Sequence, residues 1–89
     1  MACYIVCFEA AQKNREALQT LIKTTYKSYC PVTDTCWAII TESKAAEVRD
    51  FLSAALSSTD RIFVLRSGTE AAWRNLYGPA WAEWLTKNL

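Results

Sequence analysis

The stretch "SYCPVTDTCWAIIT" (residues 28–41) decides the fold. Its second half, "TCWAIIT" (35–41), is a run of β-branched, aromatic and small apolar residues, the composition of a strand. Its first half is shorter and carries Pro31, which has no N–H to give to a ladder and so belongs at a sheet edge. Thr33 and Asp34, between the halves, are turn formers. The stretch therefore reads as a hairpin made of an edge strand and a better-supported partner.

Working outward, "ACYIVCFEA" (2–10) is a strand without an internal turn former. Cys3, Ile5, Cys7 and Glu9 face one side; Tyr4, Val6 and Phe8 face the other. Both faces are apolar, so the strand should be central and covered on both sides. "NREALQTLIKTTYKSY" (14–29) reads as a helix, with Asn14 as its cap, Glu16 in its first turn and Lys27 near its end. Leu18, Leu21, Ile22, Thr25 and Tyr29 form its buried stripe. "SKAAEVRDFLSAAL" (43–56) reads as a second helix, capped by Ser43, with Ala45, Val48, Leu52, Ala55 and Leu56 facing inward. After "SSTD" comes a last strand, "RIFVLR" (61–66). Beyond it, "GTEAAW" (68–73) starts a short helix and "GPAWAEWL" (78–85) another, with Pro79 suited to a first helical turn.

The order is β-α-β-β-α-β followed by a tryptophan-rich extension, 67–89, all in one domain of residues 1–89. This is an α+β, ferredoxin-like pattern with an antiparallel sheet and a short helical C-terminal extension. Its usual strand order (fourth, first, third, second) puts the proline strand at an edge and the first strand in the middle, as the residues require. Both helices of such a fold cover one face. The strands nevertheless offer apolar residues to the other face too: Cys36, Ala38 and Ile40 as well as Trp37 and Ile39, and Phe63 and Leu65 as well as Ile62 and Val64. Each large side chain buried contributes about 1.5–3 kcal/mol, so the second face needs a cover. The extension supplies candidates. Three of the four tryptophans, Trp73, Trp81 and Trp84, lie there with Leu85 and Leu89, as a lid or as part of a dimer seam.

Composition narrows the chemistry. The 89 residues are 52% hydrophobic and carry a net charge of +1, so no strong overall field favours nucleic acid. So many aromatics in so short a chain point to a homodimer that covers the excess. There is no histidine, which removes histidine acid–base catalysis and leaves Ser, Cys and Thr nucleophiles without their usual base. The four cysteines lack the spacing of a zinc site. Cys3 and Cys7, about 13 Å apart on one strand at about 3.3 Å per residue, cannot bridge each other. All four read as reduced, buried small hydrophobes of a cytoplasmic protein, with a thiol role still open for Cys30 or Cys36 near the edge hairpin. Neither a signal peptide nor a membrane span is expected.

"YIVCFEA" (4–10), "DTCWAIIT" (34–41), "SAALSSTDRIFVLRSGTEAAW" (53–73) and "WAEWLTKNL" (81–89) are similar to the SinR-type small proteins. These are relatives of the small non-integrase, nuclease-like subunit of CRISPR spacer acquisition. The resemblance implies a ferredoxin-like fold, a homodimer, and association with nucleic acid or a defence or toxin–antitoxin system. In the CRISPR subunit an aspartate ending the first strand is the proposed metal-binding residue, one from each subunit meeting across the dimer. The matching position here is Glu9. A glutamate can bind Mg²⁺ but is one methylene longer, and magnesium-dependent phosphodiester cleavage usually needs two or more carboxylates. Asp34 and Asp60 fall near strand ends, and the sequence leaves open whether they reach Glu9 or the opposite edge of the sheet.

Two readings follow. One is a dimeric, non-catalytic module that binds nucleic acid or a protein partner. The other is a metal-dependent endonuclease using Glu9 and Mg²⁺. Lys13, Arg15, Arg61, Arg66 and Arg74 lie near element ends and are the candidate phosphate contacts, although acids are interleaved with them. Tyr26, Tyr29 and Tyr77 are candidates for stacking on bases, or for packing on helix faces.

Overall fold

A computed structural model describes residues 1–68 and 70–89. Its elements are β1 (Ala2–Glu9), α1 (Gln12–Thr25), β2 (Tyr29–Thr33), β3 (Cys36–Thr41), α2 (Ala45–Leu52), a 3-10 turn (Ser53–Ala55), β4 (Arg61–Arg66) and α3 (Pro79–Asn88). The four strands form one antiparallel sheet in the order β2-β3-β1-β4. This is the ferredoxin-like α+β arrangement with one added helix. Pro31 lies on the edge strand β2, whose ladder to β3 shifts register between Pro31 and Thr33. A proline disturbs pairing least there.

The alternation of β1 sorts the core into two layers. Tyr4, Val6 and Phe8 join Trp37 and Ile39 beneath α1 and α2, which contribute Leu18, Ile22, Val48 and Leu52. On the opposite face, Cys3, Cys30 and Ala38 pack with Leu85 of α3, and Trp81 and Trp84 close around them. The Trp84 indole Nε1–H donates to Ser28 Oγ at 2.9 Å, which ties α3 to the chain entering β2. The Trp81 ring lies 6.3 Å from the ring of Tyr29. The extension is therefore a lid, built by α3 over the β2–β3 half of the sheet.

Several local expectations are corrected. The segment 70–78 is not helical, and Thr69 of "GTEAAW" lies outside the described residues. Trp73 is consequently 40% exposed and is no part of the α3 lid. Asn75 turns this segment with a φ of 59°, a left-handed conformation that asparagine tolerates better than most residues. Pro79 does open a helix, with Gly78 as its N-cap. Asn14 does not cap α1, because the helix starts earlier, at Gln12 after Ala11. Glu16 therefore falls past the first turn, where it accepts from Gln12. Lys27 lies beyond the helix, whose last-turn base is Lys23. Thr25 is exposed and Tyr29 belongs to β2. Ser43 gives way to Lys44 as the N-cap of α2, whose N–H is satisfied by the Glu47 carboxylate at 2.8 Å. In α1 and α2 the stripe located the buried face through Leu18, Ile22, Val48 and Leu52, while the N-cap moved by three residues and by one, and both helices end four residues earlier than expected, at Thr25 and Leu52.

Leu85 is the most buried residue of α3, at 2% exposure. Leu85→Ala is expected to cost about 2–5 kcal/mol, the range for a buried leucine truncation. Removal of everything after Arg66 should unfold or aggregate the protein. Urea unfolding followed by tryptophan fluorescence measures the first, and solubility and circular dichroism the second. A soluble, folded truncation would show that α3 is dispensable.

Candidate functional site

The residues singled out for chemistry gather at one end of the sheet. There β1 finishes at Glu9, β3 begins at Cys36 and β4 begins at Arg61. Antiparallel pairing sets Glu9 opposite Arg61, and their side chains form an exposed ion pair. Together with Cys7, Cys36 and Phe63 they line an open depression of about 450 Å³. Asp34, in the β2–β3 turn, and Asp60, just before β4, lie at this same end, spread towards opposite edges of the sheet.

Each of these acids already has partners. Asp60 accepts from the Ser57 N–H at 2.8 Å, from the Ser57 hydroxyl at 3.0 Å and from the Asn14 side-chain amide at 2.8 Å. It thereby fastens the first turn of α1 to the loop leading into β4. Those bonds favour the ionised form, the Ser57 N–H first and Asn14 next, and hold the Asp60 carboxyl below its usual value. The Asp34 side chain accepts from the Tyr77 hydroxyl at 3.2 Å, and its carbonyl accepts from Gln19 at 2.6 Å. Among the described residues, no group of three His, Cys, Asp or Glu is placed to hold a metal ion. A Mg²⁺ ion at Glu9 would compete directly with the Arg61 guanidinium, so the residues around Glu9 in a single chain do not fit that ion.

The candidate phosphate contacts do not form one patch. Lys13 and Arg15 sit on the first turn of α1, at the Glu9 end, with Lys13 exposed and Arg15 half-buried. Arg61 is there too but is neutralised by Glu9. Arg66 is opposite Tyr4, at the far end of β1, and five residues of strand separate it from Arg61 by about 17 Å. Arg74 is exposed in the segment before α3. Of the candidate stacking residues, Tyr26 and Tyr29 pack against the core, while Tyr77 is 60% exposed.

The hydrophobic candidates give a second feature. α3 leaves the β1–β4 half of its face open. Phe63 is 59% exposed and Leu65 38%, and Ile5 beside them is half-buried. Trp73 and Leu89 flank Ile5 and Leu65 around a groove of about 420 Å³ between β4, α3 and the segment preceding it. Among the described residues, no strand pairs with the outer edge of β4.

The cysteines hold one pairing that sequence reasoning missed. Cys7 and Cys36 are opposite each other on β1 and β3, with their Sγ atoms 3.5 Å apart. Cys3 and Cys30 are buried, so Cys30 is not exposed at the hairpin. Burial raises the thiol pKa of both, and it raises Cys36, with the adjacent Cys7 adding to the effect, to about 12. The signal for the pair is the β1–β3 register, which the order of elements alone does not supply.

Comparison of the chain with protein-family models, curated proteins and solved structures finds no match. No helix among the described residues is long and apolar enough to cross a membrane.

A carboxyl held below its unfolded value stabilises the fold while ionised, and that contribution is lost as pH falls through the folded value. Asp60→Asn should therefore be less stable than the parent at pH 7. The difference should shrink below about pH 4, where an unfolded aspartate is itself protonated. Urea midpoints at pH 7 and pH 3 measure this, and a gap of the same size at both would show that Asp60 acts without its charge.

Proposed function

We propose that this protein is a small binding module without catalysis that works as a homodimer on nucleic acid, in a cytoplasmic defence setting of the kind the SinR-type resemblance implies. The observation that carries the dimer is the uncovered half of the sheet. Leu65, Trp73 and Leu89 are each at least 37% exposed around one groove, and Phe63, 59% exposed, follows on the same face of β4 at the neighbouring depression. Large contiguous apolar surface of this kind marks interaction sites on small proteins. The total accessible surface is 5900 Å², against about 5,300 Å² expected from its mass by the usual scaling of folded monomers. A second copy seated on β4 and the open half-face would cover the aromatic residues and double the modest cationic surface formed by Lys13 and Arg15.

The alternative, a metal-dependent endonuclease built on Glu9, needs more rearrangement. Arg61 would have to release the carboxylate, and the second carboxylate would have to come from the other subunit. Binding without cleavage needs neither. A protein partner in place of nucleic acid would use the same half-face or the unpaired β4 edge.

Sedimentation at tens of micromolar should show a dimer, and Phe63→Asp should shift it to monomer while the circular dichroism stays that of the parent. A monomeric parent would defeat the dimer. Labelled single- and double-stranded oligonucleotides should bind with an affinity that falls steeply as salt rises, because phosphate contacts release counterions. No binding at low salt would redirect the reading to a protein partner. Cleavage with Mg²⁺ or Mn²⁺ that disappears in Glu9→Gln would establish the nuclease instead.

A further inference from the structure

We propose that Cys7 and Cys36 form a dithiol site that reacts with small-molecule disulfides and closes into a disulfide across β1 and β3. The geometry carries this. The two residues are direct partners in the β1–β3 ladder, and their sulfurs are 3.5 Å apart. The Phe8 N–H donates to the Thr35 carbonyl at 2.9 Å, just beyond the pair. That bond makes Cys7–Cys36 a non-hydrogen-bonded pair, the closer of the two antiparallel pair types, with Cα atoms about 4.5 Å apart. This separation is within the range disulfides span. The sulfurs need only approach by about 1.5 Å to reach bonding distance, which side-chain rotation supplies without a change of register.

Access and selectivity agree. Both side chains are half-buried, and both line the open depression at the Glu9 end, where α3 does not reach. A flexible, polar disulfide such as oxidised glutathione can enter from solvent there. The other two thiols serve as internal controls. Cys3 is paired with Ile40, and Cys30 with Ala38, so neither has a cysteine opposite it, and both are buried within the layer covered by α3. Four cysteines on one face of the sheet thus divide into one reactive pair and two packing residues.

The chemistry balances in two exchanges. Cys7, as thiolate after loss of its proton, attacks one sulfur of the glutathione disulfide. A Cys7–glutathione mixed disulfide forms, and one glutathione thiolate leaves and takes up a proton. Cys36 then loses its proton and attacks the Cys7 sulfur. The Cys7–Cys36 bond forms and the second glutathione leaves as thiol. Two protein thiols are oxidised and one glutathione disulfide is reduced to two thiols. Burial and its neighbour hold Cys36 protonated, which makes it a poor first nucleophile; in the second step the target sulfur is already beside it, and proximity drives the attack.

The exchange itself needs neither the dimer nor nucleic acid; because Phe63 of the proposed dimer surface also lines this depression, the test is run at a protein concentration where sedimentation shows the monomer. The folded protein is incubated with oxidised glutathione, and remaining thiols are then alkylated after denaturation. Mass spectrometry should show an intramolecular loss of two hydrogens, with peptide mapping placing the link between Cys7 and Cys36 and the label on Cys3 and Cys30. Cys36→Ser should instead accumulate a stable mixed disulfide on Cys7. Cys7→Ser should react far more slowly, by at least tenfold. Circular dichroism of both variants establishes that they fold. If either fails to fold, the parent's peptide map decides alone. Four alkylated thiols in the parent, a link that includes Cys3 or Cys30, or a bond between two chains would overturn the proposal.

Discussion

A four-stranded antiparallel sheet with apolar side chains on both faces must be covered twice, and most of this structure follows from that requirement. β1 imposes it. Val6 is fully buried under the helices, while Cys3, three residues earlier on the same strand, is buried under α3. The two helices inherent to the fold can serve only one of these layers. A short chain without the extension would leave Cys3, Cys30 and Ala38 against water, and the transfer free energy lost would be a large part of its stability. The tryptophan-bearing segment is therefore part of the domain.

The cover is incomplete, and the incompleteness leaves part of the apolar face open. α3 is short, from Pro79 to Asn88, and it lies nearest β2. The β1–β4 half of the same face keeps Phe63 and Leu65 exposed, and the cysteine pair lies at its open end. The open apolar groove and the solvent-accessible cysteine pair thus have one structural cause.

Charge plays a local role. Two of the acids at the Glu9 end are already engaged. Glu9 holds Arg61, and Asp60 holds Ser57 and Asn14. Exposed pairs such as Glu9–Arg61 contribute little to stability, typically under about 1 kcal/mol. Their larger effect is on chemistry, because a guanidinium beside Glu9 takes the place a cation would need.

The sequence by itself determined the order of elements, the central place of β1, the edge place of the Pro31 strand and the helix that opens at Pro79. Those features rest on local composition and on periods of two and 3.6 residues, which a linear chain displays directly. Helix caps were less legible, because Asn14 and Ser43 are good capping residues that the loops beside them shifted out of place. The tertiary structure alone decided the partners: Cys7 with Cys36, 29 residues apart, and Glu9 with Arg61, 52 residues apart. It also decided that the lid stops halfway and that 70–78 runs without a helix. Pairings of that range depend on strand register and on how far α3 reaches, and both are set by packing of the whole domain, to which no single segment holds the key.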